Sequence, residues 1–258
     1  MVTFYTRERG LVEAVARGIG KPGSTLSAAV EPFTLAKLFF AQGRNVDHLT
    51  QCRVIEPFYA LRQDMARYAH ASCACELVLR TTEPTQAVVG LFDLLERYLR
   101  ALAEGDADPQ VLSWSFQLAY LRLSGLAPVL GRCVECGKGI AAGLYSAGKG
   151  GLLCADCAPH DEQGLRLSAG SVKFLENLAR FDPDQLRRLR LTERARGDLS
   201  ALLRSHIRYH LDLSLKSEAF LRRLHASDPE KQEPGLPPAP GDGGQNCGPL
   251  GGPADEEG

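Results

Sequence analysis

Cys133-Val-Glu-Cys136 and Cys154-Ala-Asp-Cys157, separated by seventeen residues, decide how this 258-residue chain is read. Two residues between the cysteines of each pair let one tight turn aim two thiolates at a single ion, and a second knuckle closes the tetrahedron. The pattern predicts one structural Zn2+ held by Cys133, Cys136, Cys154 and Cys157, because four thiolates leave no coordination position open for a substrate. Gly137 follows the first knuckle, where a left-handed residue finishes such a turn. Ile140 to Leu153 carries Gly143, Gly148, Gly150 and Gly151, which predicts two short strands around a loop. His160, three residues past Cys157, is an alternative fourth ligand. A zinc ribbon explains how this region folds and leaves its function open.

Upstream of the knuckles the pattern has two parts. Residues 1–57 read as strands: Val2 to Thr6 is β-branched and aromatic, and Leu11 to Ala16, Phe33 to Phe40 and Val46 to Ile55 follow. Arg9-Gly10, Lys21-Pro22-Gly23 and Gln42-Gly43-Arg44-Asn45 supply the turns. Four short, closely spaced strands with glycine-rich connections predict a small barrel or sandwich, and the five-stranded OB-fold is the candidate. From Ala60 the periodicity becomes helical: one helix ends at Glu83-Pro84, a second is capped by Thr85, and a third runs from Pro109 to Ser124-Gly125. Trp114 and Phe116 belong to the core of these helices.

Downstream of the knuckles, Ser168 caps a helix to Phe181, and Asp182-Pro183 starts another. The longest begins near Thr192 and runs to Leu224, with a break around Asp212 to Ser214. The whole is an α+β chain: a barrel domain over 1–58, and a helical domain over 59–131 and 161–225 with a zinc ribbon inserted at 132–160. An acidic Pro/Gly-rich tail over 226–258 should be disordered.

Charge hides in this division. The total is −1, yet the tail carries one Lys and seven acids, so the remainder is +5. That mildly basic balance suits phosphate contacts. No apolar run of roughly 18 residues predicts a membrane helix, and reduced thiols on zinc fit a cytoplasmic compartment. No Walker loop or zinc-deaminase signature is present, and the six histidines form no triad. His206 and His210 lie four apart but lack the adjacent Glu of a zinc protease, and read as helix-surface residues. Cys73 and Cys75 read as ordinary buried or half-buried thiols.

Three ordered anchors resemble the bacterial RecO recombination mediators. The first is Arg9-Gly10-Leu-Val-Glu-Ala-Val-Ala-Arg17-Gly18 with Ser24-Thr-Leu26 and Glu31-Pro-Phe-Thr34. Leu123-Ser-Gly125-Leu-Ala-Pro128 running into the first knuckle, with Gly151-Leu-Leu-Cys154 at the second, follows. Leu215-Lys216-Ser217 with Phe220-Leu221 is the third. The resemblance implies an OB-fold followed by a helical domain with a zinc ribbon, binding of single- and double-stranded DNA, strand annealing, and no enzymatic activity. It also implies partnership with RecR and single-stranded-DNA-binding protein, recombinase loading, and a nucleoid-associated place in the bacterial cytoplasm. Members of that family carry a further strand ahead of the one matched by Val2–Thr6, so the barrel is expected to lack its first strand: either the start is assigned at an internal Met, or the chain is a variant with altered packing.

OB-folds hold single strands by stacking bases on aromatic rings beside a cationic groove. Tyr5 is the stacking candidate, with Phe4, Phe33 and Phe39 assigned to the core, and Arg7, Arg9, Arg17, Lys21 and Arg44 are the nearby cations. The run Arg187, Arg188 and Arg190 reads either as a solvated helix face or as a second phosphate-tracking surface. A protein-interaction adaptor built on the zinc ribbon, without DNA contact, is the alternative function.

Overall fold

Alternating β-branched and aromatic residues at the start of the chain produce two hairpins, and their mutual pairing determines the architecture. The computed structural model describes residues 1–20, 25–160, 164–179, 182–189 and 191–226, with Thr25, His160, His225 and Ala226 as backbone only. Lys21, Arg190 and the acidic tail beyond 226 lie outside the described residues. Strands β1 (Val2–Thr6) and β2 (Gly10–Ala16) pair antiparallel, as do β3 (Leu35–Ala41) and β4 (Asp47–Glu56). A short helix α1 (Thr25–Ala29) lies between the hairpins in sequence. Ala14 to Ala16 then pairs in parallel with Asp47 to Leu49, giving the order β1-β2-β4-β3.

This sheet is open. Among the described residues, the edge strands β1 and β3 do not pair with each other, so the sheet does not close into the OB-fold barrel that the sequence suggested. Closure links strand number, tilt and stagger, and four strands curl without meeting that condition. Curling does bring Phe4 of β1 edge-on to Phe40 of β3, 5.9 Å between ring centres. Both edges border a cavity of about 280 Å3, whose other walls include Val78, Phe92 and Leu99 of the helical part.

The helical part begins with two helices rather than one. Asp64 adopts an extended conformation after α2 (Tyr59–Gln63) and caps α3 (Met65–Thr81) by accepting the Arg67 amide at 2.9 Å. The predicted cap at Thr85 is not used: Thr85 has φ +61° and its amide donates to the Leu11 carbonyl at 3.1 Å. That contact ties the loop to β2, and α4 (Leu91–Glu104) starts only after Gly90. Gly10, on the β2 side, is required there, because a Cβ would lie 2.2 Å from the Gln86 carbonyl oxygen. Helix α5 (Pro109–Leu123) is capped by Asp108, and it buries Trp114 and Phe116 as expected.

The knuckles belong to a second sheet of β5 (Val129–Cys133), β6 (Gly143–Ser146), β7 (Gly151–Leu153) and β8 (Leu165–Leu167), in the order β5-β7-β6-β8. Tyr145, Leu152 and Leu167 of this sheet enter the same core as Trp114 and Leu203. Three helices follow, starting where the sequence reading placed them: α6 (Ala169–Leu178) capped by Ser168 as expected, α7 (Pro183–Leu186) capped by Asp182 and α8 (Glu193–Leu211) capped by Thr192, with α6 ending at Leu178 rather than Phe181. The break expected near 212 is present, since Asp212 turns left-handed at φ +49° and α9 (Lys216–Ala226) starts afresh. No helix among the described residues is long and apolar enough to cross a membrane.

Candidate metal centre and nucleic-acid interface

Turn geometry assembles the thiol quartet before any metal is considered. In the first knuckle the Gly137 amide donates to the Cys133 carbonyl at 3.0 Å, and the Cys133 amide donates to the Lys138 carbonyl at 2.8 Å. Gly137 has φ +77° with open space around its α-carbon, so glycine is needed for conformation rather than for room. In the second knuckle the amides of Cys157 and Ala158 both donate to the Cys154 carbonyl, at 3.1 and 2.8 Å. Strands β5 and β7 pair in parallel, Cys133 opposite Leu152, and so bring the two turns together.

All four sulfur atoms lie within 4.8 Å of one another, and the Sγ atoms of Cys136 and Cys154 are 3.7 Å apart. A tetrahedron with Zn–S bonds of about 2.3 Å has edges of about 3.8 Å, so the quartet is the right size for such an ion. Its protonation is already biased. Amide hydrogens of Cys136 and Cys154 hold the Cys133 thiol down to about 6, whereas the Cys154 thiol beside it pushes Cys157 up to about 12. Leu144, Leu153, Val134 and Ile140 pack around the sulfurs, while Cys136 remains exposed. The side chain of His160 falls outside the described residues.

This module is locked to α8 by buried polar contacts. The Tyr145 hydroxyl donates to His206 Nδ1, and His206 Nε2 donates to the Leu126 carbonyl at 2.6 Å. His206 is therefore not the surface residue expected: it is 1% exposed, and burial lowers its pKa to about 4. His210 lies beside it with its ring tilted by 45°, 4.2 Å between ring centres, and approaches Gly150. Tyr209 lies over Gly148.

The candidate DNA residues divide into engaged and free groups. Arg7 pairs with Asp93 and Glu96 and stands 4.5 Å from the Phe92 ring centre. Tyr5 stacks on the same ring at 6.3 Å and is half-buried against the helices. Arg9 pairs with Asp47 at 2.9 Å, and Arg187 with Glu104 and Asp106 at 2.7 and 3.2 Å. Asp93 and Glu104 sit at opposite ends of α4, about 16 Å apart along the helix, so these two groups of cations form separate surfaces. Arg17, Arg44 and Arg188 are exposed, and no ion pair among the described residues involves them.

One surface escaped the sequence reading. Phe39, assigned there to the core, is 45% exposed, while Phe40 turns inward at a register shift. Lys37, two residues earlier on the same face, lies directly opposite Arg53 of β4, and its Nζ is 5.6 Å from the Phe39 ring centre. Strand parity carried the signal. A charged Lys37 facing solvent obliges Phe39 to face solvent too, so long as the strand stays regular between them.

The family described as Recombination protein O N terminal matches residues 1–58, and Recombination protein O C terminal matches residues 62–219. The chain is 36% identical over 225 residues to the DNA repair protein RecO of Pelotomaculum thermopropionicum, covering 87% of each chain. It is 35% identical to that of Desulforamulus reducens, over 88% of this chain and 89% of the relative. Against the DNA repair protein RecO of Listeria monocytogenes serovar 1/2a it is 31% identical, over 87% and 88%.

Proposed function

This chain belongs to the RecO family of DNA repair proteins, and on that premise we propose that it is a non-enzymatic recombination mediator. It binds single- and double-stranded DNA, anneals complementary strands, and helps load recombinase on DNA coated by single-stranded-DNA-binding protein, together with RecR. On this reading residues 1–58 act as an OB-fold-like DNA-binding domain, and 59–131 with 161–225 form a helical platform. The quartet at Cys133, Cys136, Cys154 and Cys157 binds one structural Zn2+ that holds the 132–160 ribbon in shape, and its closed shell performs no catalysis. The observation that carries the reading is the exposed set Arg17, Arg44 and Arg188, which no acid neutralises among the described residues. Lys21 and Arg190 extend that set in sequence. Arg7, Arg9 and Arg187 join it by exchanging a carboxylate partner for a phosphate.

Phosphate-dominated binding makes log affinity fall linearly with log salt concentration. Fluorescence anisotropy on labelled single- and double-stranded DNA, titrated with salt, should show that slope, and Arg17→Glu with Lys21→Glu should weaken binding. Retained partner binding with no DNA affinity even at low salt would replace the mediator with a protein-interaction adaptor.

A further inference from the structure

The outward face of the β3–β4 hairpin carries an arrangement that costs stability unless something anionic sits on it. Lys37 and Arg53 are direct cross-strand partners, and like charges at such positions repel. The acids of β4 do not relieve them: Asp47 is engaged by Arg9 at 2.9 Å, and Glu56 lies 3.9 Å from Arg100. Among the described residues neither Lys37 nor Arg53 has an ion-pair partner. Beside them stands Phe39, 45% exposed on an edge strand, with Ile55 61% exposed further along β4. The strand is anchored where Phe39 sits, because the Thr50 hydroxyl donates to the Phe39 carbonyl at 2.9 Å.

We propose that this face is a single-stranded-DNA contact, with Lys37 and Arg53 on adjacent phosphates and the Phe39 ring stacked on a base. The inference rests on the DNA-binding reading above and gives it a specific platform. Cations paired with an exposed aromatic on a sheet suit single strands, whose unstacked bases have free faces. A duplex hides those faces, so the aromatic has no role there. The face points away from the cavity bordered by β1 and β3, because Ala36 and Leu38, of opposite parity to Lys37, line that cavity. Arg17, just beyond the parallel pairing of Ala16 with Leu49, and Arg44 before β4 extend the positive track.

The test uses the full-length, metal-loaded chain and a labelled oligothymidylate in a salt-titrated anisotropy assay. Lys37→Ala with Arg53→Ala should weaken binding and reduce the log–log salt slope by about 1.4, since each single-strand phosphate contact contributes about 0.7. Phe39→Ala should lose about 5- to 150-fold in affinity with the slope unchanged. Phe39→Trp should bind as well as the original chain, and its emission should be quenched by the oligonucleotide, which a merely structural side chain would not show. Thermal melting of each variant checks that these exposed substitutions leave the fold intact. If the original chain binds while the variants match it in affinity and slope and the Trp is not quenched, this face is not the contact and the DNA-binding reading survives. If the original chain fails to bind at low salt, both fall together.

Discussion

His206 shows how one side chain couples the ribbon to the helices. Its ring accepts from Tyr145 and donates to Leu126, so the neutral form with hydrogen on Nε2 satisfies both partners. Burial holds it neutral down to about pH 4, while the unfolded chain protonates it near its ordinary 6.5. Between these limits the unfolded state binds more protons, so the His206 contribution is present above 6.5 and is lost as pH falls towards 4. At 1.36 kcal/mol per unit this is up to about 3 kcal/mol. Urea unfolding of the original chain and of His206→Gln should therefore converge as pH is lowered from about 7 to about 4.5. A gap that stays constant would remove the histidine from that role. None of this was legible from His206 and His210 spaced four apart on a helix, because the burial depends on Tyr145, sixty-one residues earlier. Phe39 is the opposite case: the sequence reading assigned it to the core, although its local parity with the exposed Lys37 already carried the signal that it faces solvent.

Helix α9 illustrates the element scale. It begins at Lys216, and its first amides are taken by a residue from another helix: Glu76 of α3 accepts from the amides of Lys216 at 3.0 Å and Ser217 at 2.9 Å, and from the Ser217 hydroxyl. Burial alone would raise the Glu76 pKa, but Ser217 and these amides hold the carboxyl below its ordinary value. Glu76→Ala should cost about 1–2 kcal/mol and loosen α9 selectively. Amide hydrogen exchange in 216–224 should then speed up by roughly tenfold for each 1.4 kcal/mol, with α5 unaffected. Uniform acceleration through α5 would point to global destabilisation instead. Elements with local caps were legible: Ser168, Asp182 and Thr192 each mark a helix start because the capping oxygen and the amide it accepts are two or three residues apart. Thr85 failed as a cap because the Leu11 carbonyl, far away in sequence, captures its amide.

At the scale of the molecule, the ribbon and the helices are one packed unit. Tyr145, Leu152 and Leu167 share a core with Trp114 and Leu203, so loss of the proposed zinc should be felt well beyond the knuckles. Chelation, or Cys154→Ser, should lower the midpoint of a single thermal transition and cost several kcal/mol, read by calorimetry alongside metal content. An independent early transition for the ribbon, with the helical transition unmoved, would show that the two fold separately. The sequence alone determined the knuckles, most helix limits, the four N-terminal strands and the family resemblance. Those depend on spacing, periodicity and caps that act within a few residues. Only the tertiary structure decided that β2 pairs in parallel with β4, that the sheet remains open, that His206 is buried, and that Arg7, Arg9 and Arg187 are ion-paired. Each of these depends on which distant residue arrives alongside, and that is fixed when the whole core packs.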